Sequence, residues 1–150
     1  MVERDVAAAT VRAFAERSGA ERVVLLLDEG PGAPTLIELT AGGLEVVADG
    51  QPAPEPAPAP PAPLPEIRRP PPSALSLDLE QGELEAPIGT VVHLAEVVLA
   101  LARAAGGRSV ATVDFPTRDP ELPLTIAARD GEPIVLAIGD RQFLLPEGVG

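Results

Sequence analysis

The sequence predicts an α+β fold built from two segments, each a helix followed by an antiparallel meander, packed together and joined by a disordered or polyproline II linker. The linker is visible because prolines occupy 11 of the 21 positions from Pro52 to Pro72, and proline has no backbone N–H for a helix or a strand ladder. On either side of it, apolar residues recur first at helical spacing and then in short runs typical of strands. The composition is 45% hydrophobic with only three aromatic residues, which predicts an aliphatic core.

Residues 1–50 are predicted to form one helix and three strands. Apolar and small residues recur on one helical face at Val6, Ala7, Thr10, Val11 and Phe14. The Ser18-Gly19 pair then ends the helix, because glycine readily adopts the left-handed conformation found after many helices. The predicted strands are Arg22–Asp28, Thr35–Leu39 and Leu44–Ala48. The first of them, RVVLLLD, is apolar without alternation, which predicts a buried strand.

Residues 51–72 are predicted to be the linker. A polyproline II segment rises about 3.1 Å per residue, so a stretch of this length reaches about 65 Å when fully extended. It is long enough to separate two lobes or to cross the outside of one.

Residues 73–150 are predicted to contain a hairpin, a helix and four antiparallel strands. Leucines alternate with polar residues at Leu75, Leu77 and Leu79 before a turn at Gln81-Gly82. Thr90 is a good N-cap for a helix over Val91–Ala105. The four strands are predicted at Ser109–Phe115, Leu122–Ala128, Ile134–Ile138 and Gln142–Leu145.

The two segments share the order helix, glycine stop and strands, with an offset of about 87 residues. At this offset Gly19 matches Gly106 and Val23 matches Val110. The four helix positions Ala7, Thr10, Val11 and Phe14 match Leu94, Val97, Val98 and Leu101. Internal duplication and coincidence both explain this order, since a helix followed by a meander is a common small unit.

The amino-terminal segment is small for an independent core, because short chains bury too little surface to be stable alone. We therefore expect residues 1–50 and 73–150 to form one composite domain, with the linker as an external strap.

The composition excludes several kinds of chemistry. Cysteine, lysine, asparagine, tryptophan and tyrosine are absent, so the chain has no disulfide, no cysteine metal cluster and no lysine Schiff base. The net charge of −12 predicts repulsion from nucleic-acid phosphates. The charged residues near the start of the sequence predict that it carries no secretory signal, and its apolar runs are too short for a bilayer. We expect a cytoplasmic protein whose partner is an unknown protein or a second copy, and neither nucleic acid nor membrane.

His93, Glu96 and Arg103 share one helical face, opposite the apolar face of the predicted second helix. They are either a His-Glu acid-base pair, half of a metal site, or a solvated polar stripe. No second histidine and no cysteine exists to complete a metal site, so the solvated stripe is favoured. We expect no catalytic, cofactor-binding or metal-binding residues, and no cofactor.

Three acidic pairs are candidates for calcium or magnesium, which prefer oxygen ligands. They are Asp78 and Glu80, Glu83 and Glu85, and Asp119 and Glu121. None lies in a calcium-loop pattern, and alternation in a hairpin explains the first two pairs as its solvated face.

The linker contains a bare PxxP pattern from Pro58 to Pro61, a form recognised by grooves lined with aromatic residues. The nearest arginines, Arg68 and Arg69, lie too far along the chain to orient such a ligand. The segment is therefore a candidate docking site for a partner or, more simply, a semi-rigid spacer.

The helix and glycine stop that lead into the VVLLLD strand resemble the start of GAF-like sensor domains, and the small acidic α+β chain is similar to secretion chaperones. The favoured hypothesis is a non-catalytic protein-interaction or assembly module. The resemblance to sensor domains implies the alternative, a small-molecule binding domain, which needs an enclosed pocket. A chaperone-like role or an enzyme based on His93 is less favoured.

Overall fold

The computed structural model describes residues 4–27, 34–48, 50–52, 60–68, 76–78, 83–85, 88–106, 108–119 and 121–145. The two helices are α1 (Arg4–Ser18) and α2 (Ile88–Ala105). The first six strands are β1 (Arg22–Leu27), β2 (Thr35–Thr40), β3 (Gly43–Ala48), β4 (Gln51–Pro52), β5 (Ser76–Asp78) and β6 (Glu83–Glu85). The last four are β7 (Val110–Phe115), β8 (Leu124–Arg129), β9 (Ile134–Ile138) and β10 (Arg141–Leu145).

Eight of these strands form one antiparallel sheet in the order β10-β9-β8-β7-β1-β2-β3-β4. Its centre is the pairing of β1 with β7, which aligns Val24 with Thr112. The prediction of a mixed α+β fold is confirmed, and sheet predominates over helix. β5 and β6 form a separate antiparallel hairpin, at the position where the leucine alternation predicted one.

Both helices pack on the same face of the sheet, and the core lies between them and the strands. Alternate residues of the strands are buried there, such as Val23, Leu25 and Leu27 of β1. The same core takes the apolar face of α1 and that of α2. Residues of the amino-terminal and carboxy-terminal segments therefore bury one another.

Residues 60–68, the strap, contact both helices and the core. The backbone N–H of Ala62 donates to Thr10 Oγ1 of α1 at 2.8 Å. Leu64 and Ile67 are partly buried against the core. The backbone N–H of Arg68 donates to His93 Nε2 of α2 at 3.0 Å, so the strap contacts both helices.

The second helix begins at Ile88 and not after Thr90, so the prediction of Thr90 as the N-cap is wrong. Gly89 and Thr90 lie in the first turn of the helix, so a hydroxyl that is a good capping group does not by itself fix where the helix begins.

The predicted linker boundary is also two residues too early. Gln51 and Pro52 pair with Ala48 and Val47 and form the short edge strand β4. An edge strand accepts proline because one of its sides makes no ladder hydrogen bonds.

The strands follow one another in the same order on either side of the β1–β7 pair. The number of residues that separates matched positions of the two segments, predicted as 87, changes along the chain. All eight helix positions matched at 87 residues are buried. In the strands, Val23 faces the core whereas Val110 does not, and the core-facing equivalent of Val23 is Ala111. The loop after α2 is one residue longer than the loop after α1, which moves the strand offset to 88. Duplication itself stays a prediction.

Within the described part of the chain, neither helix is long and apolar enough to cross a bilayer.

Candidate interaction surface

The structure places two of the three residues of the polar stripe of α2, His93 and Arg103, at separate contacts. His93 is half-buried and its Nε2 accepts the hydrogen bond from the strap. Because that bond uses the nitrogen's lone pair, the same nitrogen cannot bind a metal while the strap is in place. Glu96 is exposed, and the Nε of Arg103 donates to Asp130 Oδ1 at 3.0 Å in the turn after β8.

The acidic pairs have local structural explanations where they are described. Asp119 Oδ1 accepts a hydrogen bond from the N–H of Glu121 at 3.0 Å, which is a common turn contact for aspartate. Among the residues that the structure describes, no group of three His, Cys, Asp or Glu side chains could hold a metal ion. In the hairpin, Asp78 is aligned with Glu83 and Ser76 with Glu85, whereas Glu80 lies outside the described residues, and the solvated acidic face stays a prediction.

The candidate docking segment of the linker is only partly described. Pro61 is exposed and Arg68 contacts His93 through its backbone, while Pro58 and Arg69 lie outside the described residues. The described part, the strap, directs Leu64 and Ile67 toward the helices. Its apolar side chains therefore serve an intramolecular contact.

A further candidate surface, not predicted from the sequence, is the outer face of the sheet, opposite the helices. Strand alternation assigns to it the following positions: Arg22, Val24, Leu26, Leu36, Glu38, Thr40, Gly43, Glu45, Val47, Pro52, Val110, Thr112, Asp114, Thr125, Ala127, Arg129, Val135, Ala137, Gln142 and Leu144. None of these positions is buried.

Apolar side chains form a stepped apolar band across the outer face, made of two partial rows that overlap at the β1–β7 pair. One row aligns Leu144 with Val135, Ala127, Thr112 and Val24, and beyond Val24 it continues into Glu38 and Glu45. The adjacent row aligns Val110 with Leu26, Leu36, Val47 and Pro52, and on the other side of Val110 it continues into Arg129. Leu144 is 68% exposed, and among the described residues it is the one large hydrophobic side chain that is classed as exposed.

Four of the five charged side chains of the outer face have partners within the chain. Arg22 forms a salt bridge with Glu38, its Nε donating at 2.9 Å. Asp114 accepts a hydrogen bond from the Thr125 hydroxyl at 2.7 Å. Nη1 of Arg129 lies 4.0 Å from Oε1 of Glu132 in the following turn. With Glu45 exposed near the β3 edge, the outer face holds two arginines and three acids, a formal charge of −1.

One signal in the sequence could have revealed this face. The run VVLLL in β1 places apolar residues on both sides of the strand, a pattern typical of strands covered on both faces. The prediction that β1 is buried is correct for Val23, Leu25 and Leu27 and wrong for Val24 and Leu26, which are only half-buried. Strand β9 has the same character, with Val135 and Ala137 on the outer face.

Comparison of the chain with protein-family models, with curated proteins and with solved structures gives no match.

Proposed function

We propose that this chain is a non-catalytic protein-interaction or assembly module of the cytoplasm, which binds a protein partner through the outer face of its sheet. The apolar band carries this proposal. A monomer rarely leaves a continuous apolar patch in contact with water, and large patches of this kind mark interaction sites.

The composition of the strands supports the same function. The outer side of β1 holds Val24 and Leu26, and the outer side of β9 holds Val135 and Ala137. A strand that faced only water on one side would alternate apolar and polar residues. The apolar outer positions are therefore suited to a second layer that comes from outside the chain.

The contacts of His93 favour a structural role over a catalytic one. Its Nε2 holds the strap backbone, and Arg103 on the same helix is paired with Asp130. Each member of the polar stripe with a described contact thus connects α2 to another part of the fold.

The test compares association of the wild-type chain with that of Val24→Glu, which places a carboxylate at the middle of the band. We expect the variant to lose the partner, whether that partner is another protein or a second copy, because a buried unpaired charge is costly at an interface. Native mass spectrometry of gently purified material measures this. The matched control is Ala41→Glu, which adds the same charge in the exposed β2–β3 turn. Equal association of both variants and wild type would refute the proposal.

A further inference from the structure

We infer that the partner seated on the outer face is the outer face of a second copy of this chain. The inference rests on the proposed function and gives it a specific occupant. The two sheets would stack about 10 Å apart with their strands roughly aligned, as in β-sandwiches. The helices and straps would then lie on the two outer sides, giving four main layers in the order helix, sheet, sheet, helix.

The size of the face suits a stable dimer. Seven strands of five or six residues and the two-residue β4, spaced about 4.8 Å apart with about 3.3 Å per residue, cover roughly 670 Å² per copy. Two copies would bury about 1,300 Å² together, which falls within the range of about 1,200–2,000 Å² for specific interfaces. The exposed side chain of Leu144 lies at one end of the band and would be covered in this arrangement.

The distribution of charge favours a partner that covers the outer face with an apolar, nearly neutral surface. The chain has a net charge of −12, yet the outer face accounts for only −1 of it. A strongly basic partner would be attracted to the remaining parts of the chain, where the other acidic groups lie. The band itself is apolar, and beside it Arg22 is already neutralised by Glu38, so the face fits a partner of equal size that is also apolar and near neutral. A second copy meets both conditions.

The same charge distribution predicts how salt acts on the dimer. Two copies of net charge −12 repel each other through groups outside the interface. Salt screens such exposed charges and so weakens the repulsion between the two copies. The dimer should therefore tighten as salt is raised, whereas a complex held by opposite charges would weaken.

The experiment is analytical ultracentrifugation of the full chain over a range of concentration, at about 0.05 M and about 0.5 M NaCl, ionic strengths between which the Debye length shortens several-fold. We expect a concentration-dependent mass of twice the 15.4 kDa monomer, and tighter association at the higher salt. Val24→Glu should weaken the dimer at least about tenfold, since one desolvated charge is costly at an interface. Leu144→Glu, at an exposed position of an edge strand where folding is little affected, should weaken it by a smaller factor. Ala41→Glu should leave it unchanged.

Circular dichroism and thermal unfolding confirm that each variant is folded, and Val24→Thr keeps the β-branched shape if Val24→Glu fails to fold. A wild-type chain that stays monomeric would overturn the inference. So would a dimer that Val24→Glu leaves intact, or one that only Leu144→Glu disrupts, because that result would place the contact at the β10 edge. If the chain is monomeric but Val24→Glu still removes another protein, the inference fails and the proposed function stands. If no association of either kind depends on the outer face, both fail.

Discussion

Thr10 shows how one side chain can join two parts of the fold. It is a polar residue on the buried face of α1, only 2% exposed. Its hydroxyl donates to Val6 O at 2.7 Å and accepts from the N–H of Ala62 at 2.8 Å. The hydroxyl therefore satisfies a strap N–H beside the core, which an apolar residue could not do.

The substitution Thr10→Val keeps the shape of the side chain and removes the hydroxyl. We expect it to lower the free energy of unfolding by about 1–2 kcal/mol, because the Ala62 N–H then lacks a partner in a partly buried site. Thr10→Ser retains both hydrogen bonds and is the matched control. Urea unfolding measures both, and a Val variant as stable as wild type would show that the contact is dispensable.

Two glycines with different backbone conformations should respond oppositely to alanine. Gly139, in the β9–β10 turn, has a φ of +59°, and an added Cβ would lie 3.3 Å from Leu122 Cδ2. Gly139→Ala should destabilise the protein by about 1–2 kcal/mol, since both the left-handed backbone and the close contact oppose it. Gly89 is exposed in the first turn of α2 with nothing near an added Cβ.

Gly89→Ala should therefore stabilise the protein by about 0.5–1 kcal/mol through helix propensity. Thermal unfolding of the two variants gives the comparison. A loss of stability at Gly89, or none at Gly139, would contradict the conformations described for these turns.

Among the elements, the strap joins α1 to α2. Its side chains Leu64 and Ile67 are partly buried, and the two residues between them, Pro65 and Glu66, are exposed. The abundance of proline predicted only that this segment lacks helix and strand. Which of its residues turn toward the helices depends on the hydrogen bonds to Thr10 and His93, and these contacts link positions far apart in the sequence.

Loss of a strap anchor should expose the bond after Arg68 to trypsin. Ile67→Ser removes one partly buried side chain, and a loss of about 1 kcal/mol raises the open population roughly fivefold. The initial cleavage rate after Arg68 should rise by a similar factor. Glu66→Ser, at an exposed position of the same strap, should not change it. Equal rates in both variants would mean that Ile67 does not hold the strap.

The strands were predicted closely, but their two faces were not distinguished. The predicted bounds Ile134–Ile138 are those of β9 in the structure, and the other predicted strands of the main sheet differ from the observed strands by one or two residues at their ends. Alternation shows which residues share a side of a strand. It does not show which side the helices cover, since that depends on how the whole sheet assembles.

For the whole molecule, the decisive contact is the central pair of strands β1 and β7. It joins the segment before the linker to the segment after it, and the N–H of Glu21 donates to Asp114 O at 2.8 Å beside it. The core also includes Phe14 of the first segment and Leu101 of the second. We therefore propose that the two segments form one cooperative unit.

Cleavage of the strap should leave the two fragments associated. After limited trypsin treatment at Arg68, they should elute from gel filtration together, at the position of the intact chain, because the β1–β7 pair and the core need no covalent link. The same sample in denaturant should separate into two fragments. Two separately eluting, folded fragments under native conditions would show that the segments are independent domains.

The sequence by itself determined the positions of the helices and strands apart from the start of α2 and the short strand β4, together with the glycine stops after both helices and the aliphatic character of the core. These features depend on local periodicity and on the conformational freedom of single residues. Tertiary structure alone decided that β1 and β7 meet at the centre, that the strap packs on the helices through Thr10 and His93, and that the apolar outer sides of β1 and β9 lack cover within the described chain. Each of these outcomes depends on contacts between distant residues, whose pairing is set by the packing of the complete fold.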